Sequence, residues 1–300
     1  MYVRVSSGGR VFLLAFIIIF PIEAPAADLA TPDALERYRI AQGQTQRAIP
    51  RTTGLMEYRQ SDGNGQNARE SGRHSKVELS GRINRTFGAD WNLQGSLKHE
   101  RSELNERRTL HTQASAHLYW RNPQSHAVGA FAAVTETRGE EDAANSFSND
   151  NPYRDPKLAA GFEAALFSDT ASLLALAGVR TASLEEYRAE SAFAGLGARY
   201  YASDQLRLGL RGTYERPLDN DNAPIVYGLD ASVDYRPEAL PFSTFGGYRY
   251  RIETVNGADG TTRNTSSQGI FAGFRYHFGS ESLKQEERFG PLWPDLPAGL

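Results

Sequence analysis

Between Thr53 and Phe278 apolar and polar residues alternate with a period of two, segment after segment. In residues 268–278, Ile270, Ala272, Phe274, Tyr276 and Phe278 fall on one face of a strand. Gly269, Phe271, Gly273, Arg275 and His277 fall on the other. One face suits hydrocarbon, the other carries fixed charge, and aromatic residues crowd the end of the segment. That is the pattern of a membrane-crossing β-strand reaching an interfacial girdle. Upstream, Val77, Leu79, Gly81, Ile83 and Phe87 share a face before the turn Gly88-Ala89-Asp90. Trp91, Leu93, Gly95 and Leu97 then oppose Asn92, Gln94, Ser96 and Lys98.

Short turns at 88–90, 121–125, 168–170, 202–204 and 236–241 alternate with longer polar connections at 60–74, 101–108, 138–157, 181–191, 216–223 and 253–267. With a first strand near Thr53–Arg59, this rhythm predicts an all-β fold, a single antiparallel transmembrane barrel of about 12 strands. The short turns fall on the periplasmic side and the longer loops outside. Hydrocarbon leaves no backbone group unpaired, so the first strand must close against the last. A soluble antiparallel sandwich also alternates, but without the regular change from short turn to long loop.

The flanks carry other signals. Arg4 and Arg10 precede an apolar run from Val11 to Phe20, and Ala24-Pro25-Ala26 offers a cleavage site, so residues 1–26 read as a signal peptide. The apolar run is too short to span a bilayer as a helix. Residues 27–50 predict a periplasmic leader with a short helix, Thr31 as its N-cap and Pro32 at the first helical position. Residues 279–300, with Pro291, Pro294 and Pro297, predict an extended Pro-rich periplasmic tail. Many barrels stop at the terminal aromatic residue, so a chain continuing past Phe278 departs from the pattern.

Composition narrows the chemistry. The chain has no cysteine, which removes a lipoprotein anchor, disulfides, thiolate metal sites and a cysteine nucleophile. Mean hydropathy is −0.51, as expected where every second strand residue faces water. A formal net charge of −3 points to neither nucleic acid nor an anionic surface as partner.

Parity assigns the inner face. It places Arg82, Lys98, His111, His117, Glu163 and Arg180 in the lumen in the first half. In the second half it places Arg199, Arg207, Arg211, Arg249, Arg251, Arg275 and His277 there, with the acids Asp230 and Asp234. The arginines gather on the last six strands, so one wall is expected to be positive, while Glu163 is expected to pair with Arg180. Guanidinium groups hold carboxylates in a two-pronged, weakly hydrated contact, and a row of them offers an acidic solute a relay of weak sites. The same residues also fill narrow barrels as cross-strand ion pairs, and both readings stay open here.

Met56-Glu57-Tyr58-Arg59 in the first strand, about twelve strands, an arginine-lined wall and a final Gly-Phe-Arg-Tyr-His-Phe together resemble the small monomeric porins for acidic oligosaccharides. The resemblance spans residues 51–278 as a pattern. It implies an outer-membrane channel that passes anionic oligosaccharides by passive diffusion, with Arg199, Arg207, Arg211, Arg249, Arg251 and Arg275 along the substrate path. An outer-membrane accessory of exopolysaccharide secretion is the first alternative, with the leader and tail docking a periplasmic partner. The second is a hydrolase at the external rim, where His74, His99 and His111 lie near Glu100, Glu103 and Glu106. No His-x-x-x-His spacing occurs, so neither a catalytic set nor a metal site is assigned, and no cofactor is expected. Asp219-Asn220-Asp221-Asn222 lacks the downstream Glu of a calcium loop and reads as a turn. The expected partners are outer-membrane lipid, the barrel assembly machinery and an acidic oligosaccharide, with the barrel a monomer.

Overall fold

The computed structural model describes residues 51–66, 71–88, 90–104, 107–140, 156–181, 189–218, 224–238, 240–256 and 262–296. The signal peptide, the leader and the Asp219–Asn222 turn lie outside these residues. Twelve strands follow in order: β1 (Thr52–Gln66), β2 (Ser71–Phe87), β3 (Trp91–Leu104), β4 (Arg107–Asn122), β5 (His126–Glu140) and β6 (Lys157–Phe167). Then come β7 (Ala171–Thr181), β8 (Ala189–Ser203), β9 (Leu206–Pro217), β10 (Ile225–Tyr235), β11 (Phe242–Asn256) and β12 (Thr262–Phe278). Each pairs antiparallel with its neighbours in sequence, and β1 pairs with β12, so the sheet is a closed barrel.

Closure runs from Gly54 opposite Phe278 to Gly65 opposite Ser267. Tyr58 and Phe274 meet across this seam on the lipid side, their rings stacked 5.3 Å apart. Strands extend beyond the reach read from the alternation. β1 and β2 pair up to Gln66–Ser71, and β11 and β12 up to Asn256–Thr262, through segments expected as loops. Above the membrane both faces are polar, so the period-2 signal vanishes while the hydrogen-bond ladder continues.

The greasy face points outward. Phe162 is 77% exposed, Leu196 70% and Ile270 68%, a distribution that only a hydrocarbon surround makes favourable. Phe87, Trp91, Tyr235, Phe242 and Tyr276 ring the short-turn end, while Tyr214, Tyr227 and Tyr248 form a second level above. No helix among the described residues is long and apolar enough to cross a membrane. The crossing is made by strands, and the chain is an outer-membrane β-barrel. Phe162→Arg will cost about 2–4 kcal/mol at the bilayer midplane and show as lost heat-modifiable migration of the refolded protein.

The lumen is divided lengthwise. Strands β4 to β8 turn Tyr119, Phe131, Phe167, Leu174, Leu176 and Phe193 inward, an apolar crescent unlike a wet pore wall. Arg121, Glu163 and Arg180 interrupt that crescent, and the remaining strands turn mostly charged and polar residues inward, with Leu55, Phe245 and Phe271 among them.

Residues 279–296 do not extend away from the barrel. Gly279, at φ +81°, reverses the chain after β12, where a Cβ would lie 2.9 Å from the Thr52 carbonyl oxygen. Helix α1 (Leu283–Phe289) follows, its first turn capped by Ser282 Oγ accepting from the Gln285 N–H at 3.0 Å. It lies across the short-turn mouth. Leu283 N–H donates to the Asp204 carbonyl at 3.0 Å, and Arg288 donates to the carbonyls of Pro123 and Ser168 at 3.3 and 2.5 Å. Gly290–Leu296 then climb into the lumen, where Leu292 and Trp293 join Tyr119 and Leu174, and Leu296 joins Phe131 and Phe193. The prolines suggest an extended tail. The apolar side chains between them decide its place, because the inward apolar crescent is the surface that removes them from water.

Candidate functional site: the occluded lumen

Four of the six path arginines are held by wall acids. Asp234 stands opposite Arg207 in the β9–β10 register and binds both Arg207, Nε at 3.3 Å, and Arg275. Arg275 also donates to Glu57 at 2.7 Å. Glu57 is 1% exposed and takes a second bond from Arg59 at 2.7 Å, with Arg82 at 3.7 Å. Arg249 grips Asp230 in a two-pronged pair, 2.7 and 3.1 Å, and Arg251 lies 3.3 Å from Glu253. The expected positive wall is therefore largely neutralised. Parity shows which face a residue takes, whereas cross-strand register decides which charges meet.

The other two arginines meet the tail. Arg199 donates to Glu287 Oε1 at 2.6 Å and to the Leu292 carbonyl at 3.4 Å. Arg211 donates to the Asp295 carbonyl at 3.2 Å. Arg82 adds a two-pronged pair to the Asp295 carboxylate at 3.3 and 2.9 Å. Burial is the largest single influence on the carboxyls of Glu286, Glu287 and Asp295 and pushes them up, but His277 with Arg207 and Arg275, Arg199 with Ser172 and Tyr201, and Arg82 with Lys98 together outweigh it, and all three sit below their ordinary values.

Glu163 does not pair with Arg180. The β6–β7 register sets Arg180 opposite Ala159, four residues away along the strand, and Arg180 reaches Glu215 at 2.5 Å. Glu163 Oε2 instead binds His117 Nδ1 at 2.8 Å, and Ser115 Oγ lies 3.0 Å from His117 Nε2. A second chain of the same order links Ser243 Oγ to His277 Nε2 at 2.7 Å and His277 Nδ1 to Glu286. Serine, imidazole and carboxylate stand here in the hydrogen-bond order of a hydrolytic triad. Yet every member is at most 5% exposed, and neither serine lines either of the two cavities beside the tail. The chains satisfy most of the polar groups buried here, Glu163 Oε1 excepted, and the second ties α1 to β12.

The rim histidines diverge. His99 points to the outside of the barrel, its Nδ1 3.0 Å from Thr112 Oγ1, whereas His111 faces the lumen, 2.8 Å from Thr137 Oγ1. Among the described residues no group of three His, Asp or Glu is arranged to hold a metal.

Two cavities flank the tail. One of about 320 Å³ lies between Pro294–Leu296 and the external mouth, lined by Arg59, His74, Lys76, Glu100, Arg249 and Arg251 among others. The other, about 150 Å³, lies between Pro291–Pro294 and the wall at Gly195, Gly197, Arg207 and Arg211.

No protein-family model matches this chain, and no curated protein matches it. Several solved outer-membrane barrels are loosely similar to it. The KdgM porin is 9% identical, with a TM-score of 0.44 over 75% of this chain and 99% of its own. The translocator domain of the autotransporter NalP from Neisseria meningitidis is 14% identical, with a TM-score of 0.48 over 82% and 95%. An outer-membrane channel from Pseudomonas putida F1 is 12% identical, with a TM-score of 0.45 over 78% and 97%.

Several residues central to this site escape the sequence reading, chiefly Glu57, Gln94, Glu286, Glu287, Trp293 and Asp295. One signal does point to the apolar side chains of the segment, Trp293 among them. β7, Ala-Ser-Leu-Leu-Ala-Leu-Ala-Gly-Val, is apolar on both faces, so its inner Leu174 and Leu176 require an apolar partner inside the barrel.

Proposed function

We propose that the barrel is an outer-membrane channel for anionic solutes, acidic oligosaccharides among them, held shut by its own C-terminal segment. One observation carries this reading: the segment places its carboxylates and carbonyls on wall arginines. Glu287 sits on Arg199 and Asp295 on Arg82, where a carboxylated solute would bind. Arg211 is spent on a segment carbonyl. When the segment leaves, the lumen is vacated and these guanidinium groups face water together. The external cavity continues the path, through a mixed field of Arg249, Arg251 and Lys76 with Asp230, Glu253 and Glu100. Such a field binds an anion weakly enough to let it go.

Open-state currents of the full chain in planar bilayers will prefer anions. Arg199→Gln with Arg211→Gln will shift the reversal potential toward cations while leaving heat-modifiable migration intact. An unchanged reversal potential would remove the arginines from the path. A barrel that passes no current under any ionic condition would remove the channel.

A further inference from the structure

The wall grips the main chain of the segment as well as its side chains. The Gln94 amide makes a matched pair with the Trp293 backbone, accepting from its N–H at 3.0 Å and donating to its carbonyl at 2.8 Å. Arg121 donates to the carbonyls of Glu287 and Gly290 at 3.3 and 2.8 Å. Asn84 donates to the Phe289 carbonyl at 3.2 Å, Arg199 to that of Leu292 at 3.4 Å and Arg211 to that of Asp295 at 3.2 Å. These wall groups come from strands on several sides of the barrel and follow the backbone over nine consecutive residues, 287–295. Gln94 and Asn84 are both fully buried. Filling space needs only side-chain packing. Amide and guanidinium groups aimed at peptide carbonyls and one peptide N–H are the equipment of polypeptide recognition, in which main-chain bonds give affinity and side-chain pockets give preference.

We propose that the short-turn half of the lumen is a binding site for a polypeptide segment, filled in cis by the last turn of α1 and the non-helical residues 290–296 that follow it. The ligand it takes is an unfolded segment with an apolar and aromatic run containing proline, flanked by carboxylates. The apolar crescent receives the positions of Leu292, Trp293 and Leu296, while Arg199 and Arg82 receive the acids. A short tether from Gly279 supplies the cis ligand at an effective concentration on the order of millimolar, so a ligand in trans enters only when that tether is cut or its segment weakened. This site does not depend on the barrel conducting.

The test uses the full chain with a protease site inserted after the exposed Glu281, folded first and cleaved afterwards. A fluorescently labelled synthetic peptide of residues 282–296 is then added, with a scrambled peptide beside it. The labelled peptide will exchange into the cleaved barrel and saturate, it will bind the uncleaved barrel far more weakly, and the scrambled one will not bind. Gln94→Ala in the barrel will weaken binding about tenfold or more, and Trp293→Ala in the peptide about a hundredfold. The peptide-side change carries the test on an unaltered barrel should Gln94→Ala fail to fold. No exchange at millimolar peptide, or equal binding of the scrambled sequence, overturns the proposal. Peptide binding without any current would sink the channel reading alone, and current from the cleaved barrel without exchange would sink this site alone.

Discussion

Trp293→Ala in the full chain will raise the open fraction in planar bilayers by about a hundredfold, because a Trp-to-Ala change in a packed site costs about 3 kcal/mol or more. Trp293 is 1% exposed, meets Tyr119 edge-to-face at 5.8 Å, and packs among Leu174, Phe167 and Leu292. Removing its ring leaves a hole that the rigid barrel wall cannot collapse to fill. The barrel itself is untouched, since its ladders do not include residue 293. Trp293→Phe separates this packing effect from a general loss of docking. The indole Nε1 is buried without a hydrogen-bond partner, so phenylalanine keeps the apolar contact and drops an unsatisfied donor. The Phe variant will stay as closed as the parent or more so. Protease access to Lys284 and Arg288 provides a second readout, rising in the Ala variant and unchanged in the Phe variant. Equal open fractions for the Ala variant and the parent would mean that the segment does not gate the lumen.

The barrel was legible because two constraints act residue by residue. Hydrocarbon demands an apolar side chain at every second position, and closure demands paired backbone throughout, so Ile270, Phe274 and Tyr276 declare their face without any neighbour's help. Inward facing was equally legible: all six path arginines line one side of the lumen. Their partners were not, because pairing depends on register, and a shift of two residues preserves every face while changing every opposite residue. Asp230 opposite Arg249 and Asp234 opposite Arg207 follow from the ladder alone. The tail was hidden for a different reason. Its helix Leu283–Phe289 is only two turns long, and its hold on the lumen comes from contacts with β2, β3, β4, β8 and β9. No local pattern encodes such contacts, and only the doubled apolar face of β7 hints that the lumen has an apolar guest.

Glu287→Ala will release the segment as strongly as Trp293→Ala, through charge in place of packing. Glu287 is 1% exposed and accepts from Arg199 at 2.6 Å, Ser172 Oγ at 2.6 Å and Tyr201 OH at 2.7 Å. Deleting the carboxylate strands a guanidinium and two hydroxyls, and breaking a buried pair from one side costs about 3–5 kcal/mol. Replacing both partners, Glu287→Leu with Arg199→Leu, will recover much of that loss, since neither desolvated charge then remains. The same carboxylate gives the gate a direction in pH. Burial raises its pKa, but Arg199, Ser172 and Tyr201 outweigh burial and hold the docked carboxyl below its ordinary 4.5. A depressed docked value means that docking is at full strength above the free value of 4.5 and is lost as pH falls through the docked value. Glu286 and Asp295 are shifted the same way, so acidification weakens three contacts together. Open fraction will therefore climb on the acid side of pH 4.5 and stay flat from there to neutrality, and Glu287→Gln will make the climb shallower by removing one of the three protons. A channel that opens instead on raising the pH from neutrality would show that these carboxylates are not what holds the segment in place.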